Sequence, residues 1–324
     1  MRVLDVFAGA GGLSTGLAQA GFEIVAGAEW DPDACATFAA AHPRADVLEG
    51  DVTAMAFTSW RDHVDVVVGG PPCQPWSTGG KRLGTNDPRD GWPSFLRVIH
   101  EVRPVAFLAE NVSGFALGPR QRRFDALREE LARLGYAVGA RVENAADHGA
   151  PQKRQRLVIV GTRGQPFEFP RPRLGPGSWR SAGAVIAAAP RGEPNPSVVT
   201  YARRPDLRPN PYDGHVFNGG GRPIDLTRPA PTLLASMGGN KTPWVDTLGV
   251  VPGYHAHLLA GGRPRTGTVP GARRLTVEEA ALLQTFPPGT RFCGTRSSRY
   301  RQVGNAVPPL LARVIGARLR DALT

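Results

Sequence analysis

The feature that most constrains this chain is a succession of short apolar runs at 3–7, 22–28, 64–68, 105–109 and 157–160, each bounded by Gly, Pro or an acid. Runs this short, ended by chain-breaking residues, are what strands buried on both faces of a parallel sheet look like. Between two of them Phe124, Leu127, Leu131 and Leu134 recur at helical spacing and mark an amphipathic helix. Strands that alternate with helices need cover on both sides of the sheet, so residues 1–162 are expected to form a doubly wound α/β domain.

After Gly161 the texture changes. Pro, Gly and Arg crowd residues 164–211, glycines punctuate the chain to 262, and no sustained period survives. Residues 164–272 therefore read as a small, loop-rich domain. Regular pattern returns in 273–324, where Leu311, Val314, Ile315 and Leu319 share one face of a helix expected to pack back on the first domain.

Charge narrows the function. The chain carries 39 basic and 28 acidic residues, net +11, and every basic residue except Lys81, Lys153 and Lys241 is arginine. Residues 163–273 hold 14 Arg/Lys against 6 Asp/Glu, so most of the excess lies there. Arginine reads guanine edges and phosphates with two parallel hydrogen bonds, and a polyanionic partner follows more naturally than a merely solvated basic surface. Cys35, Cys73 and Cys293 include no CxxC pair, which excludes a disulfide scaffold and a cysteine-only zinc site. No apolar stretch approaches the roughly 18 residues of a membrane span, and a cytoplasmic location is expected.

Six places in the chain carry chemistry. FAGAGG at 7–12 follows the first run and opens a helix; such a turn brings backbone amides close to a ligand, although a purely structural tight turn reads as well. Glu29 closes the second run, where an acid can bind ribose hydroxyls, and Asp51 closes a third strand, where a carboxylate can accept from an adenine amino group. With no GxxxxGK[ST] present, these ends suit an adenosyl cofactor better than a triphosphate. GGPPCQPWS at 69–77 sits at the carboxyl end of the run 64–68, and proline before Cys73 presents the thiol outward as a nucleophile. Cys35 and Cys293 lack such surroundings and read as small buried hydrophobes. Glu110, opening ENV at 110–112, is placed to act as a general acid or to cap the next element. In QKRQR at 152–156, Arg154 and Arg156 alternate with their neighbours and share one side of an extended segment, a solvated basic edge being the plainer reading.

As an ordered set these segments resemble the DNA (cytosine-5) methyltransferase family of bacterial restriction-modification type, over nearly the whole chain. RLT at 274–276, LQTFP at 283–287 and QVGNAVPP at 302–309 complete the likeness. The resemblance implies S-adenosylmethionine as cofactor, no metal, and double-stranded DNA as partner with one cytosine flipped from the stack. It assigns the cofactor to Phe7, Ala8, Gly9, Gly11, Gly12, Leu13, Glu29, Trp30, Asp51, Val52, Pro72 and Asn305. It makes Cys73 the nucleophile, Glu110 the contact to cytosine N3 and its amino group, and Arg156 the contact to O2, with Arg154 in support. Residues 77–91 become a loop closing over DNA, with Ser77, Lys81 and Arg82 available to phosphates or the groove, and Thr232 of a Thr-Leu pair touches the backbone near the flipped base. Around 87–93 the spacing is one residue shorter than usual, and no cofactor contact is assigned there. The target word within 164–272 does not carry over. The resemblance also allows a separate cognate endonuclease and points to a monomer at the nucleoid, free of membranes. Two rivals are an RNA cytosine-5 methyltransferase and a non-catalytic DNA-binding relative; intact Cys73, Glu110, Arg154 and Arg156 weigh against the second.

Overall fold

The structure, a computed structural model, describes residues 1–72, 90–116, 121–190, 192–218 and 220–324. The chain runs β1 (Arg2–Val6), α1 (Gly12–Gln19), β2 (Glu23–Glu29), α2 (Pro32–Ala41), β3 (Asp46–Glu49), β4 (Val66–Gly69), α3 (Trp92–Val102), β5 (Ala106–Val112), α4 (Gln121–Arg133), β6 (Ala137–Asn144) and β7 (Gln155–Thr162). Then follow α5 (Ala182–Ala187), β8 (Tyr201–Asp206), β9 (His215–Phe217), β10 (Trp244–Asp246), α6 (Val250–Leu259), β11 (Ala272–Arg274), α7 (Val277–Leu283), α8 (Arg296–Asn305) and α9 (Pro309–Leu323).

The first seven strands form one sheet in the order β3-β2-β1-β4-β5-β7-β6. β1 to β5 are parallel, and β7 runs antiparallel to both β5 and β6. Alternation along each strand feeds two cores. Leu4, Val67, Phe107 and Ile159 meet Phe95 and Val98 of α3 and Leu127 and Leu131 of α4 on one face. Val3, Val66, Leu108 and Val158 meet Leu17 of α1, Phe38 of α2, and Leu311 and Ile315 of α9 on the other. The last helix thus covers the sheet built by the first half of the chain.

Two glycines set how closely α9 approaches. A Cβ on Gly16 would lie 2.3 Å from the Pro309 carbonyl oxygen and 2.4 Å from Ala312 Cβ. On Gly12 it would lie 2.5 Å from the Val307 oxygen. The amino-terminal turn and the carboxyl-terminal segment therefore pack backbone to backbone.

The rest of the chain is less loop-like than its composition suggests. α6 forms despite Pro252 and Gly253, because Pro252 sits in the first turn, where a missing N–H costs nothing, and Asp246 accepts from the Val250 and Val251 amides at 3.0 and 2.7 Å. Trp244, Tyr254, Phe217 and Tyr201 centre its core. A further cluster joins Ala182 and Ile186 of α5 and Leu233 to Leu283, Tyr300 and Val303. Phe167, beyond residue 164, still packs on the sheet.

Gly16→Val is expected to lower stability by about 1–3 kcal/mol or more, since the backbone it strikes cannot rotate away. Gly175→Ala, where nothing lies within 4 Å, should leave the urea midpoint unchanged.

Candidate active site

All the expected cofactor residues except Pro72, which follows β4, and Asn305, which ends α8, lie at or just past the carboxyl ends of β1, β2 and β3. After β1 the chain turns through Phe7 at φ 61, Gly9 at φ 54 and Gly11 at φ 74. The left-handed Phe7 stores backbone strain of the kind that clusters at ligand sites. A Cβ on Gly9 would meet nothing within 4 Å, so open space lies against that backbone. Ala8, Gly12 and Leu13 are buried beneath the turn.

Glu29, buried at the end of β2, ties the turn to its neighbour. One carboxylate oxygen accepts from the Gly9 amide at 2.8 Å and the other from the Trp30 and Asp31 amides at 3.0 Å. A carboxylate offers about four lone-pair positions, so one remains for a ligand hydroxyl. Trp30 beside it is 73% exposed, an open aromatic face. Asp51 lies two residues past the end of β3 rather than closing it, in a turn where its carboxylate accepts from the Thr53 amide at 2.8 Å. Val52 is buried, and its carbonyl accepts from Arg97.

Two of the expected catalytic residues, Glu110 and Arg156, meet farther along the same sheet edge. β5 continues through Glu110, Asn111 and Val112, and β7 starts at Gln155, so Glu110 and Arg156 belong to the strands rather than flanking them. Val112 stands opposite Arg156 and Glu110 opposite Val158, which puts Glu110 and Arg156 diagonally on one face. Arg156 Nε lies 2.6 Å from Glu110 Oε1, at an angle that leaves this buried oxygen without a directed hydrogen bond. Gly70 is next to the same carboxylate: a Cβ there would sit 3.6 Å from Glu110 Oε2. Asn111 donates to the Pro71 carbonyl at 3.1 Å, and the Gly91 amide donates to the Pro72 carbonyl at 3.0 Å. Cys73, Ser77, Lys81 and Arg82 lie outside the described residues; of the chain that adjoins them, Gly70 lies beside Glu110 and Pro72 is tied to Gly91.

Arg154 differs from Arg156. It is 1% exposed, and its guanidinium donates to the carbonyls of Leu233, Gly304 and Asn305 at 3.0, 2.9 and 3.4 Å. Burial, reinforced by the nearby Arg156 and opposed by Glu110, brings its pKa down to about 9, so it remains charged at neutral pH. It therefore positions other groups. Gln152 works with it, accepting from the Leu233 amide and donating to Gln284, which donates to the Val303 and Ala306 carbonyls. Thr232 Oγ1 donates to the Lys153 carbonyl at 2.7 Å and is half-buried, whereas Asn305 is exposed.

Sequence reasoning missed Asp5, Asn111, Gln152 and Gln284. All lie in or beside motifs, but their partners are distant in sequence. Asp5 is wholly buried, accepts from Ser14 Oγ at 2.6 Å and leaves its other oxygen unpartnered. Burial raises its pKa to about 7, with Ser14 lowering it and Glu29 adding repulsion. Cys35 is buried and donates to the Glu29 carbonyl, and burial pushes its thiol up to about 12. Among the described residues no three His, Cys, Asp or Glu side chains are grouped to hold a metal, and no helix is long and apolar enough to cross a membrane.

This sheet order is the architecture of the S-adenosylmethionine-dependent methyltransferases. S. pombe Dnmt2 methyltransferase shares the fold at a TM-score of 0.73 and 16% identity, over 100% of this chain and 99% of that one. Residues 1–175 and 241–321 match the family of C-5 cytosine-specific DNA methylases, and the chain belongs to it. The Type II methyltransferase M1.HphI of Haemophilus parahaemolyticus is 34% identical, the match covering 97% of this chain and 85% of that protein. M.AplI of Arthrospira platensis is 35% identical over 99% of this chain and 86% of its own length.

Two outcomes are expected. Asp5 titrates higher here than an exposed aspartate, so its contribution favours folding at low pH and is lost as pH rises from about 4 through 7. Asp5→Asn, which keeps an acceptor for Ser14, should match wild type in urea midpoint near pH 4 and exceed it at pH 8. Arg154→Lys cannot span its carbonyls and should cost about 1–3 kcal/mol in the same measurement, by the loss of charge-assisted hydrogen bonds.

Proposed function

We propose that this chain transfers a methyl group from S-adenosylmethionine to C5 of a cytosine flipped out of a specific duplex DNA sequence. The observation that carries the reading is the meeting of Glu110 and Arg156 beside Gly70 and Pro71, at the entry to the segment containing Cys73. A carboxyl and a guanidinium held at one point suit the edge of a cytosine, which presents N3 with its amino group on one side and O2 on the other.

The donor fits the residues present. Open space over Gly9, one unused acceptor position on Glu29 and the exposed face of Trp30 would each be available to an adenosyl group. Phe7, Ala8, Gly9, Gly11, Gly12 and Leu13 would hold it with Glu29, Trp30, Asp51, Val52, Pro72 and Asn305. When bound, S-adenosylmethionine supplies an electrophilic sulfonium methyl.

Cytosine C5 is a poor nucleophile while the ring is aromatic. The Cys73 thiolate would add to C6 as Glu110 protonates N3, and Arg156 would hold O2. C5 is then enamine-like and takes the methyl; loss of the C5 proton to a base lets the thiolate leave by β-elimination. Reaching C6 requires the base to leave the stack, at a cost of a few kcal/mol. Arg154 serves by fixing the strand that presents Arg156. Residues 164–272, with their basic excess, would read the target word, and Ser77, Lys81, Arg82 and Thr232 would meet the DNA backbone or groove. The rival reading, an RNA cytosine as substrate, has less behind it, given Type II relatives at 34% and 35% identity over nearly the whole chain.

Duplex DNA with 5-fluorocytosine at the target is expected to give an SDS-resistant complex, because fluorine cannot leave C5 as a cation. The complex should require S-adenosylmethionine, be absent for Cys73→Ser and form much more slowly for Glu110→Gln. Peptide mass spectrometry should place the adduct on Cys73. An adduct on Cys35 or Cys293 would overturn the role given to Cys73, and methylation of tRNA in preference to duplex DNA would favour the rival substrate.

A further inference from the structure

At the end of the sheet opposite Glu110, where β5 begins and β7 ends, a cavity of about 400 Å³ is lined by Ile99, His100, Arg103, Arg133, Leu134 and Arg163. No carboxylate lines it. Among the described residues none of these three arginines has a carboxylate within the 4.0 Å of an ion pair.

Arg163 is held in place. Its Nε donates to the Pro104 carbonyl at 3.2 Å, and its guanidinium carbon lies 4.5 Å from the centroid of the Tyr136 ring, whose hydroxyl donates to the same carbonyl at 2.7 Å. Gly135 makes room for it, since a Cβ there would come 3.2 Å from Arg163 Nη1. Arg103 closes α3 in the left-handed region at φ 53, a conformation that costs a residue with a Cβ about 1–2 kcal/mol.

The plain explanation is that cations cap helix ends. α3 and α4 both finish here, and each helix end carries roughly half a negative charge. Together they match about one positive charge, whereas three arginines converge before His100 is considered. A concave surface lined by one sign of charge concentrates counter-ions, and Arg forks suit phosphate oxygens in particular.

We propose that this cavity is a phosphate-binding site, separate from the methylation cleft, that takes a diphosphate or two adjacent backbone phosphates of a nucleic acid. From Ala106 to Glu110 the strand alone spans about 13 Å at its usual rise. The site therefore acts on a group other than the reacting nucleotide.

Titrating inorganic pyrophosphate into the protein by calorimetry is expected to show saturable binding. Replacing Arg103→Gln together with Arg133→Gln should weaken it by about tenfold or more, as for lost charged hydrogen bonds. Both side chains are exposed and without ion-pair partners, so the fold and methyl transfer to saturating target duplex should persist. Arg163→Gln should weaken binding as well. Competition separates the sources: a duplex without cytosine displaces pyrophosphate if a nucleic-acid backbone is the ligand, and fails to if a free diphosphate is. Equal pyrophosphate affinity in wild type and the double variant would overturn the proposal. So would an equal loss on Arg318→Gln, a surface arginine outside the cavity.

Discussion

The site depends on a buried arginine that has carbonyls for partners instead of a carboxylate. Taking a guanidinium out of water is costly, and Arg154 offsets that cost only if Leu233, Gly304 and Asn305 all turn their carbonyls toward it. Gln152 and Gln284 complete the knot with both ends of their amides engaged. Segments near residues 152, 233, 284 and 305 are thereby locked in one arrangement. Arg156 is two residues beyond the knot and inherits its position, as does Thr232.

A second constraint works from the other end of the chain. The glycine turn after β1 leaves open space on one side and meets the carboxyl-terminal segment on the other. Gly12 and Gly16 allow α9 and the turn before it to lie against α1 with no side chain between, while Gly9 keeps the opposite side open. Glu29 then fixes the turn through the Gly9 amide. Asp5 below it carries an electrostatic cost: a carboxyl that burial and Glu29 both push toward neutrality.

Much of this was legible in the residues because it is local. Short apolar runs with breakers between them announce buried strands, and a Gly-rich turn, an acid at a strand end and a proline-flanked cysteine each signal chemistry within a few positions. α6 was hidden: Pro252 and Gly253 look like breakers until Asp246 is seen capping the first turn. The extents of β5 and β7 were underestimated for a related reason. Glu110 and Arg156 are polar, and nothing along the chain says that each continues a strand, paired with Val158 and Val112 of the neighbouring one.

By itself the sequence determined the alternating α/β architecture, the family and the kinds of side chain at its carboxyl edge, since strand burial, turn geometry and motif spacing act over a few residues. The tertiary structure alone decided which of two similar arginines is a buried clamp and which faces the acid, that burial pushes the Asp5 carboxyl upward, and that arginines just past α3 and β7 and at the end of α4 line one cavity. Those outcomes turn on desolvation and on distances between groups far apart along the chain, and neither quantity exists until the chain has folded.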